Sequence, residues 1–235
     1  MTVYLWFALP AAVMLLGGWL ASFWKPSGAL ISSVQHVAAG IILAAITIEV
    51  FPEMKRTAGS PWSLVAMFTC GVGFMFGVKR LGEWLEARAR RGGVAATVNF
   101  GFVITVFLDA TLDGLTIGAG FAAGEKVGLA LAIGLSAEML FLGMSLVSET
   151  IQGRRVLALS AAMATVLLGA AVLGYRVLSQ MPASAVSIAL AFSAAALLYL
   201  VTEELLIEAH AAQENWYSML LLFAGFIAFW VVSLA

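Results

Sequence analysis

Eight stretches of this chain are each long and apolar enough to cross a bilayer as a helix: roughly 3–23, 33–52, 62–84, 94–122, 127–148, 156–177, 183–207 and 216–234. A hydrocarbon core about 30 Å thick needs about 20 apolar residues in helix. The connections are short and punctuated, as in Trp24-Lys25-Pro26-Ser27-Gly28, Gly59-Ser60-Pro61, Arg91-Gly92-Gly93 and Gln152-Gly153-Arg154-Arg155. The runs are far longer than barrel strands and lack two-residue alternation, so an all-α membrane fold is expected. Residues 1–235 read as a single transmembrane domain. Only 11% of the residues are charged and 63% are hydrophobic, against about 25% charged in an ordinary soluble domain. Lipid accepts that much apolar surface, whereas a soluble core could not hide it. The net charge of −1 gives no sign of a nucleic-acid partner. A lone cysteine, Cys70, forms no intrachain disulfide. Run 3–23 lacks a basic leader and exceeds a signal-peptide core in length, so it is read as the first span.

Basic residues orient the spans. The odd-numbered connections carry Lys25, then Lys79, Arg80, Arg88, Arg90 and Arg91, then Arg154 and Arg155; the even-numbered ones carry Lys55, Arg56, Lys126 and Arg176. The odd connections therefore face the cytoplasm, which puts both termini outside. Trp6, Trp62 and Trp216 fall near outer span ends and Trp84 near an inner one, as an aromatic belt requires. Residues 79–91 read as a solvated extension of span 3.

Acidic residues inside the spans carry the functional signal. Span 2 holds Glu49, with Glu53 just past its end; span 4 holds Asp109 and Asp113; span 5 holds Glu138; span 7 holds Glu203 and Glu204, with Glu208 at its end. A carboxylate at the centre of a spanning helix costs about 2.5–3.5 kcal/mol on insertion scales. No Lys or Arg is expected at matching depth to neutralise these acids. Asp109 and Asp113 stand four residues apart and share one helical face, near the middle of a span that is antiparallel to span 5 and its Glu138. Three carboxylates can thus converge near the midplane, and two so close do not both ionise without a cation between them. The alternative is that these acids are protonated or hydrogen-bonded across helices as packing groups. Gly114 and Gly118 beside them read as a helix-packing face. Spans 2 and 7 each end in an acid pair at i and i+4, Glu49 with Glu53 and Glu204 with Glu208, which fits inverted repeats of spans 1–3 and 6–8 around spans 4 and 5.

These motifs resemble those of the Zrt/Irt-like (ZIP) divalent-metal transporters. Span 2, from Ala39-Gly40 to Glu49-Val50-Phe51-Pro52-Glu53, is similar to that family's Gly-rich helix ending His-x-x-Pro-Glu, with Glu49 in place of the His. Asp109-Ala110-Thr111-Leu112-Asp113-Gly114 stands against His-Asn-x-Pro-Glu-Gly, and Glu138-Met139-Leu140-Phe141-Leu142-Gly143 against His-Glu-x-Pro-Glu-Gly. Glu203-Glu204-Leu205-Leu206-Ile207-Glu208-Ala209-His210 is similar to His-Glu-x-x-Pro-Glu-x-His. The departures are systematic: carboxylates replace the histidines, Leu112 and Leu140 replace the helix-opening prolines, and Leu142 replaces a shared Glu. Ala110 and Met139 occupy the positions of a second metal's ligands, and span 6 has no acid.

The resemblance implies one midplane metal site of Asp109, Asp113 and Glu138. Glu49 and Glu204 become vestibule or gating positions, and Glu203 and His210 belong to the cytoplasmic exit. Oxygen-only ligands favour harder ions such as Mn²⁺, Fe²⁺ or Mg²⁺ over Zn²⁺. The expected function is divalent-metal transport across the plasma (inner) membrane, with no cofactor beyond the transported ion. The alternative is a transport-inactive membrane sensor or assembly subunit gated by cations or protons. An enzyme is not expected, because neither His36 nor His210 sits at the depth of the acids. The expected partners are the metal ion and the bilayer; pairing into a homodimer is one option.

Overall fold

The structure, a computed structural model, describes all residues except 1, 25, 92–99, 147–152, 212–216 and 235. All regular secondary structure among the described residues is helical, with no strand. The helices are α1 (Thr2–Phe23), α2 (Gly28–Ala45), α3 (Phe51–Thr57), α4 (Pro61–Arg91), α5 (Phe100–Ala123), α6 (Glu125–Ser145), α7 (Arg154–Leu178), α8 (Ala183–Leu200), α9 (Leu206–Ala211) and α10 (Ser218–Ser233). A π-helical turn, Ile46–Val50, joins α2 to α3, and another, Val201–Leu205, joins α8 to α9. Gly28–Thr57 and Ala183–Ala211 are therefore each one continuous rod.

Seven of these helical segments are long and apolar enough to cross a membrane. The stretch expected as an eighth span is α10, 16 residues long, or about 24 Å at the helical rise. The expected start of span 4 at 94–99, the end of span 5 at 147–148, Lys25, Trp216 and the Glu208 side chain lie outside the described residues. The first rod, Gly28–Thr57, is longer at both ends than the 33–52 read from hydropathy. Its start at Gly28 follows from Ser27, whose Oγ accepts the Leu30 N–H at 3.3 Å and caps the first turn. Its passage through Pro52 follows from the π turn just before it. A proline has no N–H to give and clashes with the preceding turn, and the wider turn accommodates that. Residues 79–91 continue α4 as expected, with Arg80 reaching Glu83 at 3.4 Å and Arg88 lying over the Trp84 ring at 5.2 Å.

The packing has two kinds of helix pair. In the first, α1 lies along α6 and α5 lies along α7, with α1 and α7 touching and α5 and α6 touching. These pairs approach backbone to backbone. A side chain at Gly143 would run into Met14 O and the Gly18 N–H of α1; one at Gly114 would run into Leu167 O, and one at Gly118 into Ala171 O of α7. The packing role read for Gly114 and Gly118 is the one they have. In the second kind, α2 lies along α10 and α4 along α8, again at close quarters, with Gly40 against Leu222 O and Gly71 against Phe192 O. Helices α4 and α10 turn large apolar side chains outward, among them Val65, Phe74 and Phe76, and Phe223, Ile227 and Val231. Outward apolar faces are unfavourable in water and cost nothing in lipid. Ile42 and Ile46, Ile117, Leu131 and Leu135, and Leu190 fill the centre, where the α2 and α8 rods close on α5 and α6.

Candidate metal centre

Helices α5 and α6 are joined by Gly124 alone and run antiparallel, so a residue near the middle of one faces a residue near the middle of the other. Asp109, Asp113 and Glu138 come together there. One carboxylate oxygen from each lies within 4.8 Å of the others. A cation bonding oxygens at about 2.0–2.6 Å holds pairs of its ligands about 3–5 Å apart, so the cluster has the dimensions of a coordination sphere. Asp113 and Glu138 are only 2% and 1% exposed, while Asp109 is half-buried. Asp113 Oδ2 and Glu138 Oε2 are buried with no hydrogen-bond partner among the described residues. Described Lys and Arg side chains form ion pairs with Glu53, Glu83 and Glu203, and with none of these three acids. The residues present therefore fit a divalent cation: three converging carboxyl groups, two of them with a buried oxygen that has no hydrogen-bond partner among the described residues.

A cavity of about 560 Å³ reaches the cluster from one end of α5 and α6. Asp109 and Glu138 form its floor, Thr105, Phe141, Leu142 and Ser145 its walls, and Lys79, Glu203 and Glu204 stand along its other side. A second cavity, of about 360 Å³, opens at the opposite end of the same two helices. It is lined by Glu49, Glu53, Arg56 and Gly124 to Val127, and none of the three clustered acids borders it. Glu203 and Glu204 thus share a cavity with the cluster, whereas Glu49 stands in a separate one. His210 lies apart from both, its ring 5.4 Å from that of His36.

One expectation is corrected. Glu203 does have a basic partner at its own depth: Lys79 Nζ donates to Glu203 Oε2 at 2.8 Å. Lys79 sits near the end of a span, and its long side chain crosses from α4 to the second π turn. The two π turns were not foreseen either. Glu49 and Glu204 each lie at the fourth position of such a turn, and a threonine lies at the second position of each. Thr47 Oγ1 donates to Leu43 O at 2.7 Å and Ala44 O at 3.2 Å; Thr202 Oγ1 donates to Leu198 O at 2.9 Å and Tyr199 O at 3.2 Å. The shared Thr-x-Glu was the available signal. Where the resemblance put prolines into spans 4 and 5, α5 and α6 run on without interruption through Leu112 and Leu140. Met139 is fully buried in the core, a packing residue. No family model matches this chain, and no curated protein matches it.

Proposed function

We propose that the chain is a divalent-cation transporter of the plasma (inner) membrane that passes its ion through the Asp109–Asp113–Glu138 site. The observation that carries this reading is the pair of orphaned oxygens, Asp113 Oδ2 and Glu138 Oε2, within a cluster of three acids. Unpartnered carboxylates are retained at bilayer depth where they serve an ion or proton path. All-oxygen ligation suits Mn²⁺, Fe²⁺ or Mg²⁺, and a ZIP-like transporter with carboxylates in place of histidines is the kind of protein proposed. The ends of α4, α6 and α9 that border the larger cavity are those the basic residues assign to the cytoplasm. The conformation is then open inward and closed outward.

The proposed architecture has eight spans, both termini outside, and inverted repeats of spans 1–3 and 6–8 around spans 4 and 5. Support comes from the packing. Exchanging span 1 with 6, 2 with 7, 3 with 8 and 4 with 5 turns the α1–α6 contact into α7–α5, and the α2–α10 contact into α8–α4. The register agrees as well: the steps from residue 28 to 183, from 46 to 201 and from 49 to 204 are one and the same shift along the chain.

The test is tracer uptake of Mn²⁺ into proteoliposomes holding the full chain. Flux that saturates and is lost in Asp113→Asn supports the proposal. Binding of Mn²⁺ without flux identifies the cation-gated sensor instead, which the uninterrupted α5 and α6 favour. Neither binding nor flux overturns both.

A further inference from the structure

The chain contains two histidines, His36 and His210, far apart in sequence, and the fold brings their rings to 5.4 Å between centroids at an interplanar angle of 53°. Their surroundings do more than bring them close. His36 is buried, and its Nδ1 lies 2.8 Å from Ser32 O, one turn earlier in α2. His210 Nδ1 is likewise bonded to Leu206 O, one turn earlier in α9. A carbonyl oxygen can only accept, so Nδ1 carries a proton in both rings, and in the neutral imidazole of that tautomer Nε2 is the nitrogen that can ligate a metal. Tying Nδ1–H to a backbone carbonyl is the usual way a metal-binding histidine is fixed. Ser32 also donates its Oγ to Ala209 O at 2.9 Å, pinning α9 to α2 at the residue before His210. Two imidazoles on one tetrahedral ion, with bonds of about 2.05 Å, have centroids about 5.3 Å apart. The positions related to these two by the repeat shift are Ala191 and Lys55, so the packing scheme itself does not call for the pair.

We propose that His36 and His210 form a second cation site, between the middle of α2 and the end of α9, holding a borderline transition metal such as Zn²⁺ or Cu²⁺ through the two Nε2 atoms. Its nitrogen ligands prefer a different class of ion from the all-oxygen cluster. The proposal does not rest on the transport reading. The test uses tag-free, metal-stripped full chain in detergent with one equivalent of Cu²⁺, the tightest divalent probe for imidazole. Pulsed electron paramagnetic resonance counts coordinated imidazoles, and every imidazole in the chain belongs to this pair. The D109N/D113N double variant is measured beside the parent, so that competition from the carboxylates is removed and failure of the transport site leaves this result intact. Two coordinated rings in that background, displaced by added Zn²⁺, are expected. His210→Gln, at an exposed position, is expected to leave one ring or none, and Ser32→Ala to keep both while weakening Zn²⁺ competition about tenfold. No imidazole, or a single ring in the D109N/D113N protein, overturns the site. A His210→Gln spectrum identical to the unsubstituted one does so too.

Discussion

The rods Gly28–Thr57 and Ala183–Ala211 share a plan, each a long helix loosened by one π turn that carries a threonine and then a glutamate, yet they meet α5 and α6 differently. Beside Glu204 the cavity deepens until Asp109 and Glu138 are its floor. Beside Glu49 a separate cavity is bordered by Gly124 to Val127 and by none of the three acids, and Ile117, Phe121, Leu131 and Ile46 of the neighbouring turns are buried in the apolar core. The lesson is that the loosened turn does not open a path by itself. What decides access is whether the apolar residues of α5 and α6 facing that turn are packed or parted.

The largest effect is expected at the floor of the open side. Asp113→Ala removes the buried middle member of the three-acid cluster, a proposed ligand. Breaking up a buried charged group costs about 3–5 kcal/mol, so cation binding and flux should fall by roughly a hundredfold or more. Glu53→Ala, on the closed side, removes an acid already held at 2.7 Å by Arg56, whose side chain is 71% exposed. It should change flux by less than about twofold, since exposed pairs contribute about 0–1 kcal/mol. Equal losses at equal expression would mean that the two acids do not differ in depth as described.

Next in size is a change of preference at the same floor. Asp109→His with Glu138→His exchanges two hard oxygens for imidazole nitrogens and lowers the negative charge of the site. Competition of Zn²⁺ against Mn²⁺ in proteoliposomes should move toward zinc by on the order of tenfold. An unchanged ratio in a folded, active variant would send the search for the selecting groups to Glu49 and Glu204.

The contrast between the two sides can also be read without any ion. In a Cys70→Ala background, Thr105→Cys lines the open cavity and should react with a membrane-impermeant thiol reagent applied from the cytoplasmic side. Ile117→Cys replaces a residue with no exposure and should resist the reagent from outside by roughly tenfold or more, since thiol reactivity requires access. Rapid labelling of Ile117→Cys from outside would show that the packing around it is open in the membrane.

Much of this was legible in the sequence, for reasons that differ by feature. The spans follow from bilayer thickness, a one-dimensional constraint. The acid cluster follows from i, i+4 spacing on one helix and a lone acid on its antiparallel neighbour, because a short connection fixes their relative depth. The Lys79–Glu203 bond was not legible, since it joins helices whose adjacency no local pattern specifies. The His36–His210 encounter was hidden in the same way. The π turns escaped because widening a helix by one residue leaves hydropathy unchanged; Pro52 accounts for the first, and the second has only the Thr-x-Glu it shares with the first.

The smallest expected effect concerns how each side holds its spare glutamate. On the closed side Arg56 Nε and an outer guanidinium nitrogen donate to both oxygens of Glu53 at 2.9 and 2.7 Å, within a single helix. Such a pair moves with its helix and cannot report on whether the side opens. On the open side Lys79 and Glu203 belong to different helices, α4 and the second π turn, so their bond at 2.8 Å ties together two parts that flank the cavity. The Lys79 and Glu203 side chains are 33% and 43% exposed, so water and salt weaken the bond. Lys79→Met should therefore change the rate of Mn²⁺ flux by no more than about threefold, with the difference shrinking as ionic strength rises. Arg56→Met should leave the rate and its salt dependence unaltered. The readout is initial uptake at low and high salt for both variants and the parent. A matching salt dependence in Lys79→Met and the parent would show that this cross-helix bond does not bias the open side, and only the packing around Ile117 would then distinguish the two ends.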